Sequence, residues 1–66
     1  MKTKLKVERA ALSMTQDELV QKVSVSRQTI IAIEAGRWVP LAVLAIKIAR
    51  VFNKAVETLF ILEEGD

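Results

Sequence analysis

Between Met14 and Arg37 the chain reads MTQDELVQKVSVSRQTIIAIEAGR, and its polar side chains gather in two short clusters. Thr15-Gln16-Asp17-Glu18 and Ser26-Arg27-Gln28-Thr29 each stand just ahead of apolar residues at helical spacing. Arg, Gln, Ser and Thr at an exposed helix start match the hydrogen-bonding edges of base pairs in a major groove. Arg can present two N–H groups to guanine, and Gln can both donate to and accept from adenine. The carboxylates of Asp17 and Glu18 suggest other chemistry, acid–base or metal-binding. A helix cap explains them better: the Thr15 hydroxyl can accept from the Glu18 amide while the Glu18 carboxylate reaches back. Both acids also sit favourably at the positive end of a helix dipole. The chain has no His, Cys or Tyr, and Gly occurs only at 36 and 65, so a catalytic constellation or a glycine-rich phosphate loop has no residues to be built from. No catalytic residue, metal ligand or cofactor is expected.

The elements that must carry these clusters follow from spacing. Leu5, Leu12 and the alanines Ala10 and Ala11 can share one face of a first helix from about Thr3 to Ala11, with an extended start allowed. Its Lys6 and Arg9 suit solubility or a phosphate contact. After a break at Ser13-Met14, Thr15 starts a second helix whose buried side is Leu19, Val20 and Val23. Gln16, in its first turn, has no apolar duty and is free to donate to a phosphate. Val23-Ser24-Val25 makes the turn, with Val25 spaced to plug the angle between two helices. Ser26 caps a third helix, with Ile30 and Ile33 pointing inward. Ile31 lies on the outer side beside Gln28, where it either meets a thymine methyl or simply stays exposed. Gly36 is placed for a left-handed helix end. Arg37 and Trp38 follow at the rim as phosphate donors, although the Trp38 ring can equally cover the core edge. Pro40 permits a fourth helix just after it. There Leu44, Ile48 and Val51, flanked by Ala45, Ala49 and Phe52, form a seam that closes the core. Asn53-Lys54 stops that helix, and Val56, Leu59 and Phe60 mark a short fifth.

Composition narrows the class. Sixty-six residues without Cys make one domain, residues 1–66, held by packing alone. Apolar residues reach 52% and mean hydropathy is +0.29, an excess that points to apolar surface buried between chains. The net charge of +2 conceals an asymmetry. Residues 1–54 hold ten bases against four acids, and residues 55–66 hold four acids and no base. A basic body attracts phosphates and an acidic end should face away from them. The longest apolar run, Val39 to Ile46, is too short to span a bilayer. A soluble cytoplasmic protein is expected.

The ordered set Met14-Thr15-Gln16-Asp17-Glu18-Leu19, Val25-Ser26-Arg27-Gln28-Thr29-Ile30 and Ile33-Glu34-Ala35-Gly36-Arg37 resembles the phage-repressor/Cro-like helix-turn-helix family, also called the xenobiotic-response-element family. Pro40, the run Ala45 to Phe52 and Leu59-Phe60 extend the match over nearly the whole chain. Its small stand-alone members are the most similar. The resemblance implies an all-α fold of five helices, in which helices 2 and 3 form the helix-turn-helix and helix 3 enters the major groove. It also implies double-stranded DNA as partner and a two-fold dimer. By position, Arg27, Gln28, Thr29 and Ile31 would face bases, and Gln16, Ser26, Ala35, Arg37 and Trp38 would meet the phosphate backbone. Several residues depart from the family pattern. Ser24 stands where Gly is usual, which strains the turn. Leu41 and Ala55 replace capping residues, and Val43 and Ile61 replace polar ones.

The function expected on these grounds is that of a sequence-specific regulator, a repressor, binding a pseudo-palindromic operator as a homodimer. The fifth helix, about residues 54–62, would be the dimer surface through Val56, Leu59, Phe60 and Ile61. The alternative is an antitoxin-type module that binds a partner protein and represses its own operon, using exposed Val43, Ile61 and Leu62.

Overall fold

Five helices and one small sheet follow in the order β1 (Lys2–Thr3), α1 (Leu5–Ala11), α2 (Gln16–Val23), α3 (Arg27–Glu34), α4 (Ala42–Phe52), α5 (Val56–Leu59) and β2 (Phe60–Ile61). The computed structural model describes every residue from Met1 to Asp66. The all-α reading holds, and the extended start becomes a real strand. β1 pairs antiparallel with β2, Lys2 opposite Ile61 and Thr3 opposite Phe60, and the Lys4 amide extends the ladder to the Leu59 carbonyl at 2.9 Å. The sheet therefore brings the two ends of the chain together.

Every helix contributes to one apolar core. Leu5 comes from α1, Leu19 and Val23 from α2, Ile30 and Ile33 from α3, Ile48, Ala49 and Phe52 from α4, and Leu59 from α5. Within α2 and α3 these residues fall four and three positions apart, the spacing that aligns side chains on one helix face. Val25 packs against this core between α2 and α3, as its spacing required, and Leu44 and Val51 flank the α4 seam. Each fully buried aliphatic side chain contributes roughly 1.5–3 kcal/mol relative to exposure. No helix is long and apolar enough to cross a membrane.

Two expectations about the core are corrected. Leu12 does not share the inner face with Leu5: it caps α1 and stays 56% exposed, while Ala10 and Ala11 face solvent. The helix ends one residue too early to carry Leu12 inward. Leu59 is fully buried in its own chain, so it has no surface to offer a second copy. The fifth helix also covers less than residues 54–62, because Phe60 leaves it for an extended conformation and joins the sheet.

The helix ends explain how so short a chain turns so often. Ser13, Ser24, Asn53 and Gly36 all adopt positive φ. At Gly36 the amide of Arg37 reaches the Ala32 carbonyl at 3.0 Å and the Gly36 amide reaches Ile33 at 2.9 Å, the paired bonds of a Schellman end. The same pairing closes α1 at Ser13 and α4 at Asn53. Ser24 sits at φ 58°, ψ 48°, the strained left-handed turn expected of a residue that is not glycine. Gly36 has a second constraint: a Cβ there would lie 2.6 Å from the Met1 carbonyl oxygen. Leu41 and Ala55 indeed leave the starts of α4 and α5 without a side-chain cap.

These positions make opposite predictions. Ser24→Gly should raise the free energy of unfolding by about 0.5–1 kcal/mol, because relief of left-handed strain outweighs the added chain entropy. Gly36→Ala should lower it by more than about 1 kcal/mol. Urea unfolding followed by circular dichroism checks both.

Candidate nucleic-acid interface

The surface around α2 and α3 is organised by a carboxylate that faces away from solvent. Glu34, in the last turn of α3, is met by Arg9 of α1 through Nε on Oε2 and through Nη2 on Oε1 at 3.1 Å. Gln16 of α2 donates its Nε2 to the same Oε1 at 3.0 Å. The remaining Arg9 nitrogen, Nη1, donates to the Met14 carbonyl at 2.8 Å, which pins the α1–α2 connection. Thr3 of β1 donates its hydroxyl to the Glu34 carbonyl at 3.2 Å. Only 12% of the Arg9 side chain and 6% of the Glu34 side chain reach solvent. Burial pushes the Glu34 carboxyl up, but the hydrogen bonds from Arg9 and Gln16 and the charges of Arg9 and Lys6 hold it below its ordinary value. Hydrogen bonding to Glu34 raises Arg9 correspondingly. Arg9 is therefore a structural ion-pair partner, and the phosphate contact considered for it is excluded.

The two helix starts are built as their sequences required. Thr15 and Glu18 form a complete capping box, with the Glu18 amide on the Thr15 hydroxyl and the Thr15 amide on the Glu18 carboxylate, both at 3.1 Å. Asp17 and Glu18 are thus helix-start residues. The Ser26 hydroxyl accepts from the Thr29 amide at 3.1 Å and shares a 2.8 Å hydrogen bond with the Thr29 hydroxyl. Ser26 and Thr29 accordingly spend much of their polar capacity on each other. Arg27 and Gln28 project from the first turn of α3 into solvent. Arg27 is joined only to Asp17, Nε to Oδ1 at 3.6 Å, and both side chains are more than half exposed. Such a pair is worth about 0–1 kcal/mol and yields readily to a stronger acceptor. Ile31, one turn beyond Gln28, is 38% exposed, and Trp38 is about half exposed.

The other site residues divide clearly. Arg37 stands exposed and outside every ion pair, directly after the Gly36 end of α3. Ala35 is a correction: its amide donates to the Ile31 carbonyl at 3.0 Å, and its methyl offers no donor, so it cannot hydrogen-bond a phosphate. Gln16 keeps one amide hydrogen and its carbonyl oxygen beyond the bond to Glu34, so it is held in a set orientation rather than swinging freely. No group of three His, Cys, Asp or Glu side chains could hold a metal ion.

A model of the helix-turn-helix family matches residues 5–59, from the first core leucine to the last. The chain belongs to that family, of the Cro/CI-like, xenobiotic-response-element type. Full-length similarity supports the assignment. The chain is 50% identical over all 66 residues to an uncharacterised HTH-type transcriptional regulator of Methanocaldococcus jannaschii, covering the whole of both chains. It is 48% identical to another from Archaeoglobus fulgidus, covering all of this chain and 93% of that one. A Bacillus subtilis relative of the same description, YgzD, is 45% identical over 97% of each chain. The helix-turn-helix itself is α2, the strained Ser24 turn and α3. These relationships point to a regulator and away from an enzyme.

The Arg9–Glu34–Gln16 network escaped the sequence reading, although a signal for it was present. A carboxylate in the last turn of a helix faces the negative end of the dipole and is disfavoured unless a cation meets it. Glu34 was such a residue, and Arg9 was the base on the polar flank of α1.

The network predicts an acid-sensitive stability. Because the Glu34 pKa is depressed in the folded chain, its contribution is fully present above the ordinary glutamate value, about 4.3, and is lost as pH falls through the lower folded value. Thermal unfolding of Glu34→Gln between pH 7 and pH 2 should show a lower Tm at neutral pH and a flatter acid limb than the parent. Parallel curves would contradict the assignment.

Proposed function

We propose that the protein is a sequence-specific double-stranded DNA-binding regulator that acts as a homodimer and represses transcription by occupying a pseudo-palindromic operator. The observation that carries this reading is the sorting of polar groups around α3. Glu34 is taken up inside the chain and Ser26 and Thr29 spend much of their capacity on each other, while Gln28 and Arg37 are left to solvent and Arg27 is held only by its weak pair with Asp17. Arg27 then pairs with guanine and Gln28 with adenine, each such contact giving about 1–3 kcal/mol of discrimination. Ile31 packs on a thymine methyl beside Gln28. Arg37, Trp38 and the oriented Gln16 hold the phosphate backbone and set the register of α3 in the groove. A two-fold dimer sets two such helices about 34–36 Å apart. Val56, Phe60 and Ile61, each only half-buried in the monomer, supply the dimer contact. On this reading the protein acts on DNA in the cytoplasm.

A second reading, a module that also binds a partner protein to neutralise it, draws on the apolar run leading into α4. Val39, Leu41 and Val43 are each more than 60% exposed. A small protein that co-purifies at fixed ratio and is released by Leu41→Asp would favour it.

Fluorescence anisotropy on a preferred duplex and on a random duplex tests the main reading. Arg27→Ala should lose about 1–3 kcal/mol on the preferred duplex and little on the random one. Arg37→Ala should weaken both alike and reduce the salt slope by about 0.9. Equal losses on both duplexes for Arg27→Ala would overturn the base-reading role.

A further inference from the structure

A hollow of about 440 Å³ lies between the end of α4 and the start of α5, lined by Ile46, Ala49, Arg50, Asn53, Lys54 and Val56. It is shallow and open, with apolar lining from Ile46, Ala49, Ala55 and Val56 and basic lining from Arg50 and Lys54. Lys54 is already paired with Glu8 at 3.5 Å, whereas Arg50 belongs to no ion pair. Arg50 also borders the neighbouring depression, where Lys22 and Lys47 are likewise unpaired. This basic ground is separate from α3.

At the other end of the same strip stands the complementary chemistry. Leu62 is 79% exposed directly after β2. Glu63 and Asp66 are held by the Met1 ammonium at 3.2 and 3.1 Å, but Glu64 is exposed and unpaired. The chain cannot satisfy its own hollow, because pairing of β2 with β1 carries Leu62 and Glu64 away toward Met1. The strip from Val56 to Ile61 is a four-residue helix and a two-residue strand, about 6 Å plus about 7 Å long. It has an apolar hollow beside a free base at one end, and an apolar knob beside a free acid at the other. Laid antiparallel on its own copy it is self-complementary, which is what a two-fold interface demands: residue i meets j, and j meets i.

We propose that Leu62 and Glu64 of a second copy of this chain occupy the α4–α5 hollow, Leu62 on Ile46 and Val56 and Glu64 on Arg50, with the reciprocal contacts completing the dimer. The inference rests on the homodimer reading and specifies its register. The half-buried Phe60 and Ile61 lie at the centre of the interface, and Arg50 and Glu64 close it at both edges. Glu64 is thereby drawn onto α4 of the partner, so its charge is neutralised away from α3.

Charge exchange tests the placement. Sedimentation equilibrium of the full chain should show a dimer whose dissociation constant rises by about tenfold or more in Arg50→Glu and in Glu64→Arg, and returns to within about threefold of the parent in the double variant. Leu62→Asn should weaken the dimer as well. All three residues are exposed, and unchanged circular dichroism and Tm would show that each variant folds. A parent that stays monomeric at every concentration would overturn the homodimer reading and this inference together. A dimeric parent whose double variant is not restored would overturn the placement alone. An intact dimer in Arg50→Glu with reduced affinity for random duplex DNA would assign Arg50 to the phosphate backbone, and would also overturn it.

Discussion

The fold turns on one carboxylate that faces away from solvent. Glu34 gathers Arg9 from α1, Gln16 from α2 and Thr3 from β1, and through Arg9 it also fixes the Met14 carbonyl between the first two helices. Nine apolar side chains fill the core, but apolar contacts are non-directional and would tolerate small rotations of one helix against another. A bidentate guanidinium–carboxylate pair would not, since its fork has one good geometry. Removing one partner leaves the other charge facing away from solvent without its counter-charge, which destabilises the fold. The pair therefore sets the angle at which α2 and α3 are presented, and with it the aim of everything on their outer face.

The same network explains the division of labour among polar residues. Gln16 is oriented from beneath by Glu34, Ser26 and Thr29 close the start of α3, and Thr15 with Glu18 closes the start of α2. What remains unspent is a short row on α3 and its exit, namely Arg27, Gln28, Ile31 and Arg37. Pre-orientation matters because ordering a long side chain at an interface costs about 0.5–1.5 kcal/mol each. Arg27 is partly ordered already by Asp17, through an exposed pair weak enough to yield to a stronger acceptor. Trp38 and Gly36 serve the exit: the glycine lets the chain pass close to the Met1 carbonyl, and Trp38, half exposed, follows Arg37 in the chain.

How much of this was legible in the sequence depended on the range of the interaction. Features decided within four residues could be read directly: the Thr15–Glu18 box, the Ser26 cap, the left-handed stops at Gly36 and Asn53, and the inward spacing of Ile30 and Ile33. Features decided by tertiary contact could not. Leu12 has the right type and nearly the right spacing for the core, but α1 ends before it can turn inward. Leu59 reads as one more apolar residue of a surface helix, and only the docking of α5 shows that it is the last core residue and unavailable to a partner. Ala35 matched its family position, yet its only donor is spent on the helix end. Arg9 and Glu34 are 25 positions apart in the chain. Nothing local joins them except the oddity of an acid at a helix C-terminus.

In the proposed function, the first turn of α3, aimed by the Glu34 network, reads base edges as one half of a symmetric pair. Selecting bound duplexes from a fully randomised library at near-physiological salt tests it most directly. The expected result is enrichment of two inverted half-sites whose centres lie about one helical turn, 10–10.5 base pairs, apart. Each half-site should contain a guanine and an adjacent adenine for Arg27 and Gln28. Retention of the library without enrichment of any sequence, or enrichment of a single unpaired site, would contradict it.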